Sequence, residues 1–309
     1  MRVLLLSLLL AGCATIEPGF QRFDEVEYPF QTRVIRGRRA QLDLAMAELG
    51  QGPGVPVVLI HPWGFSMKVW SDVAPTLAKD RRVLLLDLPG HGKSEKLAAH
   101  YPMERMAAAV LDVMEAAGID SAVLVGNSLG GATALTTTLV EPARVKGLVL
   151  IGAPGGKQVP EPIRRAARQL ATPQELHSLS DLGWATGVWM VRAASTPLGM
   201  ALSQDLRRLR SAYEHQAWSR STIASLRSVA EWAPDLSRIN TPTTVIHGAW
   251  DMVVWRSSSM AMAQQIPGAR FVGLEECGHM IEVECPGQLL EQVALALAPI
   301  EANLRPGGE

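Results

Sequence analysis

The sequence has few aromatic residues, few charged residues and almost no excess of one sign of charge. Phe, Trp and Tyr make up 5% of its 309 residues and charged residues 19%, and 29 basic against 30 acidic side chains leave a formal net charge of −1. A chain without a basic excess gives no reason to expect a nucleic-acid partner. It also has no internal repeat or low-complexity tract, so its 48% of apolar residues predict one large globular domain with an insertion.

Sequence patterns for metal ions and cofactors are missing as well. No group of His, Cys, Asp and Glu has metal-ligand spacing, and no dinucleotide fingerprint follows the first predicted parallel strand. The stretch PGHGKS around His91 lacks the spacing of a phosphate-binding loop. The sequence therefore predicts a protein with neither a metal ion nor another cofactor.

The apolar run at the N-terminus is too short to cross a membrane. It extends from Val3 to Leu10 behind the positive charge of Arg2, whereas a spanning helix needs roughly 20 apolar residues. This pattern is typical of a signal peptide. The residues that end it, Leu-Ala-Gly-Cys with Cys13 last, resemble the lipobox of bacterial lipoproteins.

The lipobox resemblance implies a lipid anchor. Residues 1–12 would be the signal peptide, Cys13 the lipidated residue, and residues 13–30 a tether to the folded part. Ala14 is not the aspartate that resembles an inner-membrane retention signal, so the resemblance favours the outer membrane of a bacterial envelope, facing the periplasm. The alternative is an ordinary secretory leader in which the cysteine is incidental.

The other two cysteines, Cys277 and Cys285, leave two alternatives open. An exported protein lies in an oxidising compartment, where a disulfide is allowed. The sequence does not give the separation of their Cα atoms, on which a disulfide depends. They are therefore either bridged or two buried thiols.

Short apolar runs alternate with helical stretches along most of the chain. Such alternation predicts an α/β fold with a mostly parallel sheet and helices on both faces. Residues 31–47 show strand-like alternation and predict an antiparallel edge. The predicted parallel strands are residues 55–60, 82–87, 122–125, 145–151, 243–247 and 269–274, and the predicted helices are about 69–78, 103–117, 131–140, 257–266 and 286–297.

The alternation is interrupted between residues 156 and 237, where the pattern becomes purely helical. We interpret this segment as a helical cap over the carboxyl edge of the sheet, where ligands bind in such folds. The core would then comprise residues 31–155 and 238–299, followed by a tail at 300–309. The four tryptophans of the cap either line an apolar pocket or pack the cap onto the core; they are Trp184, Trp189, Trp218 and Trp232.

A G-x-S-x-G pattern lies between a predicted strand and a predicted helix. Its serine is Ser128, flanked two residues away by Gly126 and Gly130. A sharp strand-to-helix turn exposes such a hydroxyl and requires small neighbours, and the helix N-terminus favours negative charge that develops there. The backbone N–H of Leu129, the next residue, is the expected first donor to an oxyanion.

A serine needs a neighbouring base to become a nucleophile. The order expected for this kind of fold is serine, acid, histidine. Asp251 and His279 each follow a predicted strand and complete that order after Ser128, whereas Asp87 also follows a strand but precedes the serine. We therefore expect His279 to be the general base and Asp251 to orient its ring.

Five segments together resemble the successive signatures of α/β-hydrolases, in particular the capped branch with a serine nucleophile that contains carboxylesterases, lipases and C–C bond hydrolases. They are LIHPWGFSMKVW, LLLDLPGHGKS, LVGNSLGG, VIHGAWD and CGHMIEVECP. The resemblance implies that the N–H of Trp63 is the second oxyanion donor and that His61 and His247 are structural. The chain departs from the family where Pro62 stands in place of the usual glycine, which puts the path of that loop in doubt.

The resulting hypothesis is a serine hydrolase that cleaves carboxylic esters, with acyl lipids among the possible substrates. Dehalogenases and epoxide hydrolases of the family that the chain resembles carry an aspartate at this position, so Ser128 argues against both. The alternatives are a C–C bond hydrolase of the same fold, against which an export leader argues, and a noncatalytic membrane-tethered binding protein. The expected partners are a small-molecule substrate and, through Cys13, a membrane.

Overall fold

The computed structural model describes residues 27–97, 101–157, 161, 165, 225 and 227–303. Within these residues eight strands form one sheet, in the spatial order β1-β2-β4-β3-β5-β6-β7-β8. In chain order they are β1 (Thr32–Arg36), β2 (Asp43–Leu49), β3 (Gly54–Ile60), β4 (Arg81–Leu86), β5 (Ala122–Asn127), β6 (Val145–Ile151), β7 (Thr243–Gly248) and β8 (Arg270–Leu274).

The sheet is parallel except at one edge. β2 runs antiparallel to β1 on one side and to β4 on the other. Each of the other neighbouring pairs, from β4–β3 to β7–β8, is parallel. The carboxyl ends of β3 to β8 therefore lie along the same edge, and the predicted fold class is confirmed.

Helices cover both faces of the sheet because successive strand residues point to opposite sides. On β3, Val58 and Ile60 belong to one buried apolar cluster, and Val57 and Leu59 belong to the other. The helices that cover the sheet are α1 (Ala74–Leu77), α2 (Met103–Ala116), α3 (Leu129–Val140), α4 (Arg256–Gln265), α5 (Ile281–Glu284) and α6 (Pro286–Ala302). The first cluster is covered by α2, α3 and α4, and the second by α1, α5 and α6.

The helix predicted at about residues 69–78 is wrong as a single element. A 3₁₀ turn spans Met67–Trp70, and the helix α1 begins only at Ala74. Pro75 lies in the first turn of α1, where the missing N–H of proline has no helical partner to lose. A helix that continued from residue 69 would need that N–H as a donor. The interruption follows from this proline.

The last helix extends beyond its predicted end at residue 297. α6 runs to Ala302, and Ile300 is buried in the core. Glu301 accepts a hydrogen bond from Arg81 at 2.7 Å and one from the amide of Val55 at 3.3 Å. These contacts fix the end of α6 to the amino ends of β3 and β4, although residues 300–309 were predicted to be a tail.

The described residues of the predicted tether and cap already contact the core. Tyr28 donates to Oδ2 of Asp87 at 2.7 Å, and its ring stacks on Phe30 with centroids 5.7 Å apart. Trp232 packs against the core beside Gly155. Residues 1–26, with Cys13, and most of residues 156–237, with the other three cap tryptophans, lie outside the described residues, so these predictions stay predictions. Among the helices that are described, none has the length and hydropathy to cross a membrane.

Candidate active site

Ser128 lies in the tight turn that joins β5 to α3. Its φ of 52° and ψ of −114° are outside the regions that side-chain-bearing residues favour, and strained backbone of this kind persists where the surroundings fix it. The amide of Ser128 donates to the carbonyl of Ile151 at 2.8 Å. The turn therefore holds a partly exposed hydroxyl at the carboxyl edge of the sheet.

Glycines on either side let the backbone close up around this turn. A Cβ at Gly126 would lie 2.3 Å from the carbonyl oxygen of Gly130, and a Cβ at Gly130 would lie 2.1 Å from that of Ile60. Real Cβ atoms do not approach oxygens so closely, so a larger residue would push α3 away from the sheet. The small residues expected two positions from the serine are required by these contacts.

Asp251 and His279 form a buried hydrogen-bonded pair. Nδ1 of His279 lies 2.8 Å from Oδ2 of Asp251, and the two side chains are 8% and 1% exposed. The other carboxylate oxygen accepts from the amides of Val253 at 2.8 Å and Val254 at 2.9 Å. An ionised Asp251 requires the proton on Nδ1, which leaves Nε2 of His279 as the basic nitrogen.

Each member of this pair stabilises the charged form of the other. Burial by itself would raise the pKa of Asp251, but His279 and the amides of Val253 and Val254 outweigh it, and the pKa lies below its ordinary value. Burial by itself would lower the pKa of His279, but the carboxylate of Asp251 outweighs it, and the pKa lies above its ordinary value. The pair is therefore suited to stabilise an imidazolium.

Two further contacts bring the His279 loop to the serine turn. Nδ2 of Asn127, the residue before Ser128, donates to the carbonyl oxygen of His279 at 3.0 Å. Gly152, directly after β6, lies so close that a Cβ there would be 2.9 Å from Asp251 and 3.1 Å from the imidazole. The described residues show no hydrogen bond from the Ser128 hydroxyl to the ring; such bonds are often long in apo enzymes and shorten when substrate binds.

The two expected oxyanion donors lie on adjoining segments. Leu129 is the first residue of α3, where amides have no acceptor within the helix. The loop that carries Trp63 passes over the same helix start, since a Cβ at Gly130 would also lie 2.8 Å from the carbonyl oxygen of His61. Pro62 keeps this loop folded back, because its carbonyl accepts from the His61 ring at 2.7 Å and from the amide of Phe65 at 3.4 Å.

The remaining buried histidines near this edge hold loops in place. Nε2 of His61 accepts from the amide of Leu88 at 2.9 Å while its Nδ1 bonds Pro62, so the ring is neutral, and burial lowers its pKa well below the usual value. His247 contacts the hydroxyl of Ser259 at 3.1 Å, and burial lowers its pKa as well. Both histidines therefore have the structural role that the sequence resemblance implies.

Asp87 is fully buried and accepts hydrogen bonds from three separate segments of the chain. Its carboxylate accepts from the amide of Met67 at 2.7 Å, the amide of Lys93 at 2.7 Å and the hydroxyl of Tyr28. Burial raises its pKa to about 6 despite these bonds. Asp87 thus fixes the loop between Trp63 and the 3₁₀ turn, a role that its position after a strand did not reveal.

Cys277 and Cys285 are joined by a disulfide, with Cα atoms 6.1 Å apart. The covalent ring encloses His279 and the helix α5. The amide of Trp250 donates to the carbonyl of Cys277 at 2.9 Å, which attaches the ring to the loop that carries Asp251. The open question of the cysteines is thereby resolved in favour of a bridge.

Sequence reasoning missed three residues around the Asp251–His279 pair: Asn127, Gly152 and Glu282. Glu282 is fully buried and accepts from Nδ2 of Asn127 at 2.7 Å. The signal for Asn127 was its place beside the serine, and no sequence signal marked Glu282. In the part of the chain that the structure describes, no group of His, Cys, Asp and Glu could hold a metal ion.

Comparison with known proteins agrees with this geometry. Residues 55–284 match the family described as alpha/beta hydrolase fold. A curated relative, the dihydrolipoyllysine-residue acetyltransferase component of the acetoin cleaving system of Pseudomonas putida, is 30% identical over 80% of this chain. The match spans 64% of that longer relative, so the chain corresponds to part of it.

Two other relatives match along more of their own length and are named for different substrates. Pimeloyl-acyl-carrier-protein methyl ester esterase of Aromatoleum aromaticum is 30% identical, with 72% of this chain and 90% of the relative covered. 2-Hydroxy-6-oxo-6-(2'-aminophenyl)hexa-2,4-dienoic acid hydrolase of Metapseudomonas resinovorans is 28% identical, with 77% and 82% covered. The relatives therefore include both an ester hydrolase and a dienoic acid hydrolase.

A solved structure shares the fold at lower identity. The thermophilic esterase from Thermogutta terrifontis has a TM-score of 0.74 at 21% identity, with 88% of this chain and 99% of that chain covered.

Proposed function

The chain belongs to the alpha/beta hydrolase fold family, and on that premise we propose that it is a serine hydrolase that cleaves carboxylic esters through an acyl-enzyme. The observation that carries this proposal is the 2.8 Å bond between Asp251 and His279 at the sheet edge that also bears Ser128. A buried carboxylate that orients an imidazole beside a strained serine is the arrangement that activates a hydroxyl.

In the first step Ser128 attacks the acyl carbon. Nε2 of His279 accepts the hydroxyl proton while Oγ bonds that carbon, and the carbonyl oxygen becomes an oxyanion held by the N–H groups of Leu129 and Trp63. The oxyanion then collapses, the bond to the alkoxy oxygen breaks, and the imidazolium returns its proton to the departing alcohol.

In the second step water removes the acyl group. His279 accepts a proton from the water, whose oxygen bonds the acyl carbon, and the second oxyanion uses the same two donors. Collapse releases the carboxylic acid and restores the Ser128 hydroxyl with the proton from His279. Asp251 remains ionised throughout and stabilises the imidazolium in both steps.

The charges around the pair favour a neutral acyl substrate. The groups that raise the pKa of His279 are Asp251, Glu282 and Glu284, all acidic. A substrate that carries its own carboxylate would be repelled by this field, whereas an uncharged ester would not. The similarity to a methyl ester esterase supports the same choice.

Hydrolysis of short-chain p-nitrophenyl esters tests the proposal. We expect turnover by the wild type and a loss of about 10³-fold or more in Ser128→Ala, with the circular dichroism spectrum unchanged. Equal activity of the two proteins would refute the assignment. A panel of acyl chain lengths on the same proteins then defines the preferred ester.

A C–C bond hydrolase is the second candidate, and one specific observation favours it. The relative from Metapseudomonas resinovorans is named as a dienoic acid hydrolase and aligns over 77% of this chain. Parallel assays with a p-nitrophenyl ester and a vinylogous diketone discriminate the two. A kcat/KM at least tenfold higher for the diketone would favour C–C cleavage.

We further propose that the protein is held on a bacterial membrane through a lipid on Cys13. Ala14, which is not the aspartate of an inner-membrane retention signal, supports the periplasmic face of the outer membrane as its location. The lipobox-like residues before Cys13 support the anchor, and several acyl chains, at about 0.8 kcal/mol for each buried CH₂, would give stable attachment. Metabolic labelling with a palmitate analogue tests it. Label and membrane association should both disappear in Cys13→Ser, and unaltered fractionation of that variant would refute the anchor.

A further inference from the structure

Glu282 and Asn127 form a buried polar contact next to the backbone carbonyl of His279. Both side chains are completely buried. Nδ2 of Asn127 donates one hydrogen to Oε2 of Glu282 at 2.7 Å and the other to the carbonyl oxygen of His279 at 3.0 Å. Since Asn127 precedes Ser128 in the chain, one amide group links the serine turn, the histidine and this carboxyl group.

The contact leaves two buried oxygens without a partner among the described residues. They are Oε1 of Glu282 and Oδ1 of Asn127. An ionised carboxylate in this position has one oxygen unsatisfied, and such a charge is costly to bury. A bound proton removes that cost, so the site can hold Glu282 in either protonation state.

The charged groups that act on Glu282 are few. His279 favours its ionised form, while Glu284, on the same helix, opposes it. Glu284 itself accepts from the amides of Gly278 at 2.9 Å and Met280 at 3.1 Å. The 3₁₀ turn packed against α5 buries uncharged side chains, and Lys68 is its one charged residue. The helix α6 also packs against α5 and has two charged residues, Glu291, which is exposed, and Glu301, which lies at its far end. Asn127 of the serine turn is uncharged. The charge of Glu282 is thus coupled chiefly to that of His279.

We propose that Glu282, held by Asn127, is a positioning residue that sets the basicity of His279: its negative charge stabilises the imidazolium, and protonation of Glu282 withdraws that support. Burial raises the pKa of Glu282 to about 7, outweighing its own backbone amide and the bond from Asn127. The carboxyl group therefore changes charge in the pH range in which His279 must act as a base. The inference rests on the proposed function, because it assigns His279 the role of the base.

The pH dependence of kcat/KM for p-nitrophenyl acetate tests the inference. We compare the wild type with Glu282→Gln, which keeps the shape and removes the charge. Its matched control is Glu275→Gln, an exposed glutamate shortly before the same loop. In Glu282→Gln the acid limb of kcat/KM should move to lower pH by about half a unit or more. On the plateau of the pH profile, at about pH 8.5, kcat should fall roughly three- to tenfold. Glu275→Gln should match the wild type.

A loss of activity by the same factor at every pH, with the acid limb unmoved, would overturn the inference and leave Glu282 a packing residue. A measurement on the wild type covers the case in which Glu282→Gln does not fold. Carbon-13 NMR of glutamate carboxyl groups should show one that titrates near pH 7, and titration of all of them below about pH 5.5 would equally overturn it.

These outcomes are distinct from failure of the proposed function. If the wild type neither hydrolyses the ester nor reacts with a fluorophosphonate, the function is wrong whatever Glu282 does. If the wild type is active and its acid limb is unaffected by Glu282→Gln, the function stands and the inference fails.

Discussion

Nδ1 of His279 lies 2.8 Å from Oδ2 of Asp251, although 28 residues separate the two along the chain. Both residues follow parallel strands, β8 and β7, which are neighbours in the sheet. Parallel strands end at a common edge, so residues just past their ends meet. The pair is a direct consequence of the topology of the sheet.

Asp251→Asn should reduce kcat by about 10³- to 10⁴-fold, because an amide can hold the wrong tautomer of His279 and does not stabilise an imidazolium. The pKa of His279 should fall, since Asp251 is what raises it. The acid limb of kcat/KM should therefore move to lower pH. Stopped assays of ester hydrolysis across pH measure both effects, with the exposed Asp120→Asn as the control. An activity within tenfold of the wild type would contradict the role of Asp251.

Gly152→Ala should displace the catalytic pair. The new Cβ would lie 2.9 Å from Oδ2 of Asp251 and 3.1 Å from Nδ1 of His279, at a φ of +48°. We expect kcat to fall by about ten- to a hundredfold, as for small displacements of catalytic groups. Gly118→Ala is the matched control, because Gly118 also has a positive φ, +63°, with nothing within 4 Å. Equal kcat values for the two variants would mean that backbone strain, and not the contact, matters.

The disulfide should stabilise the protein and hold His279. Closing a ring between Cys277 and Cys285, 8 residues apart, contributes about 2–3 kcal/mol in the chain-entropy account. Reduction with dithiothreitol should lower Tm and kcat of the wild type together. The double variant Cys277→Ser/Cys285→Ser should start from the lower values and show no response to the reductant. A wild type that keeps its Tm after complete reduction, verified by thiol titration, would count against this role.

The stability of the folded state should decrease as Glu282 ionises. Its folded pKa of about 7 lies above its ordinary value of 4.5, so between these values the folded protein binds a proton that the unfolded chain does not. This contribution is complete below about pH 4.5 and is lost as the pH rises through 7. The difference in unfolding free energy between wild type and Glu282→Gln should change by about 3 kcal/mol over that range.

Urea unfolding at several pH values measures this difference, with Glu275→Gln as the control. The control should follow the wild type at each pH, because Glu275 is exposed. Parallel curves for wild type and Glu282→Gln would show that Glu282 has an ordinary pKa.

Most of the fold could be predicted from the sequence because its signals are local. β6 spans Val145–Ile151 as predicted, and β5 contains the predicted residues 122–125, since an uninterrupted apolar run is what a strand buried on both faces requires. The position of Ser128 between strand and helix followed from the glycines around it. The one helix predicted too long could have been corrected from Pro75.

The surroundings of the catalytic pair could not be predicted because they depend on contacts between distant residues. Glu282 stands in the segment IEVE, and a glutamate in a sequence is ordinarily expected to be exposed. Its burial depends on Asn127, 155 positions earlier. The hydrogen bond from Tyr28 to Asp87, 59 positions away along the chain, is of the same kind. Such polar contacts leave no periodic pattern in a single sequence.

The most direct test of the central claim is to locate the adduct formed with a fluorophosphonate. Attack by Oγ breaks the P–F bond, releases fluoride and leaves a stable phosphonyl serine, which tandem mass spectrometry can assign to a residue. We expect one adduct, on Ser128, formed much more slowly in His279→Ala and absent in Ser128→Ala. An adduct on another residue, or none in a protein that still hydrolyses esters, would contradict the account.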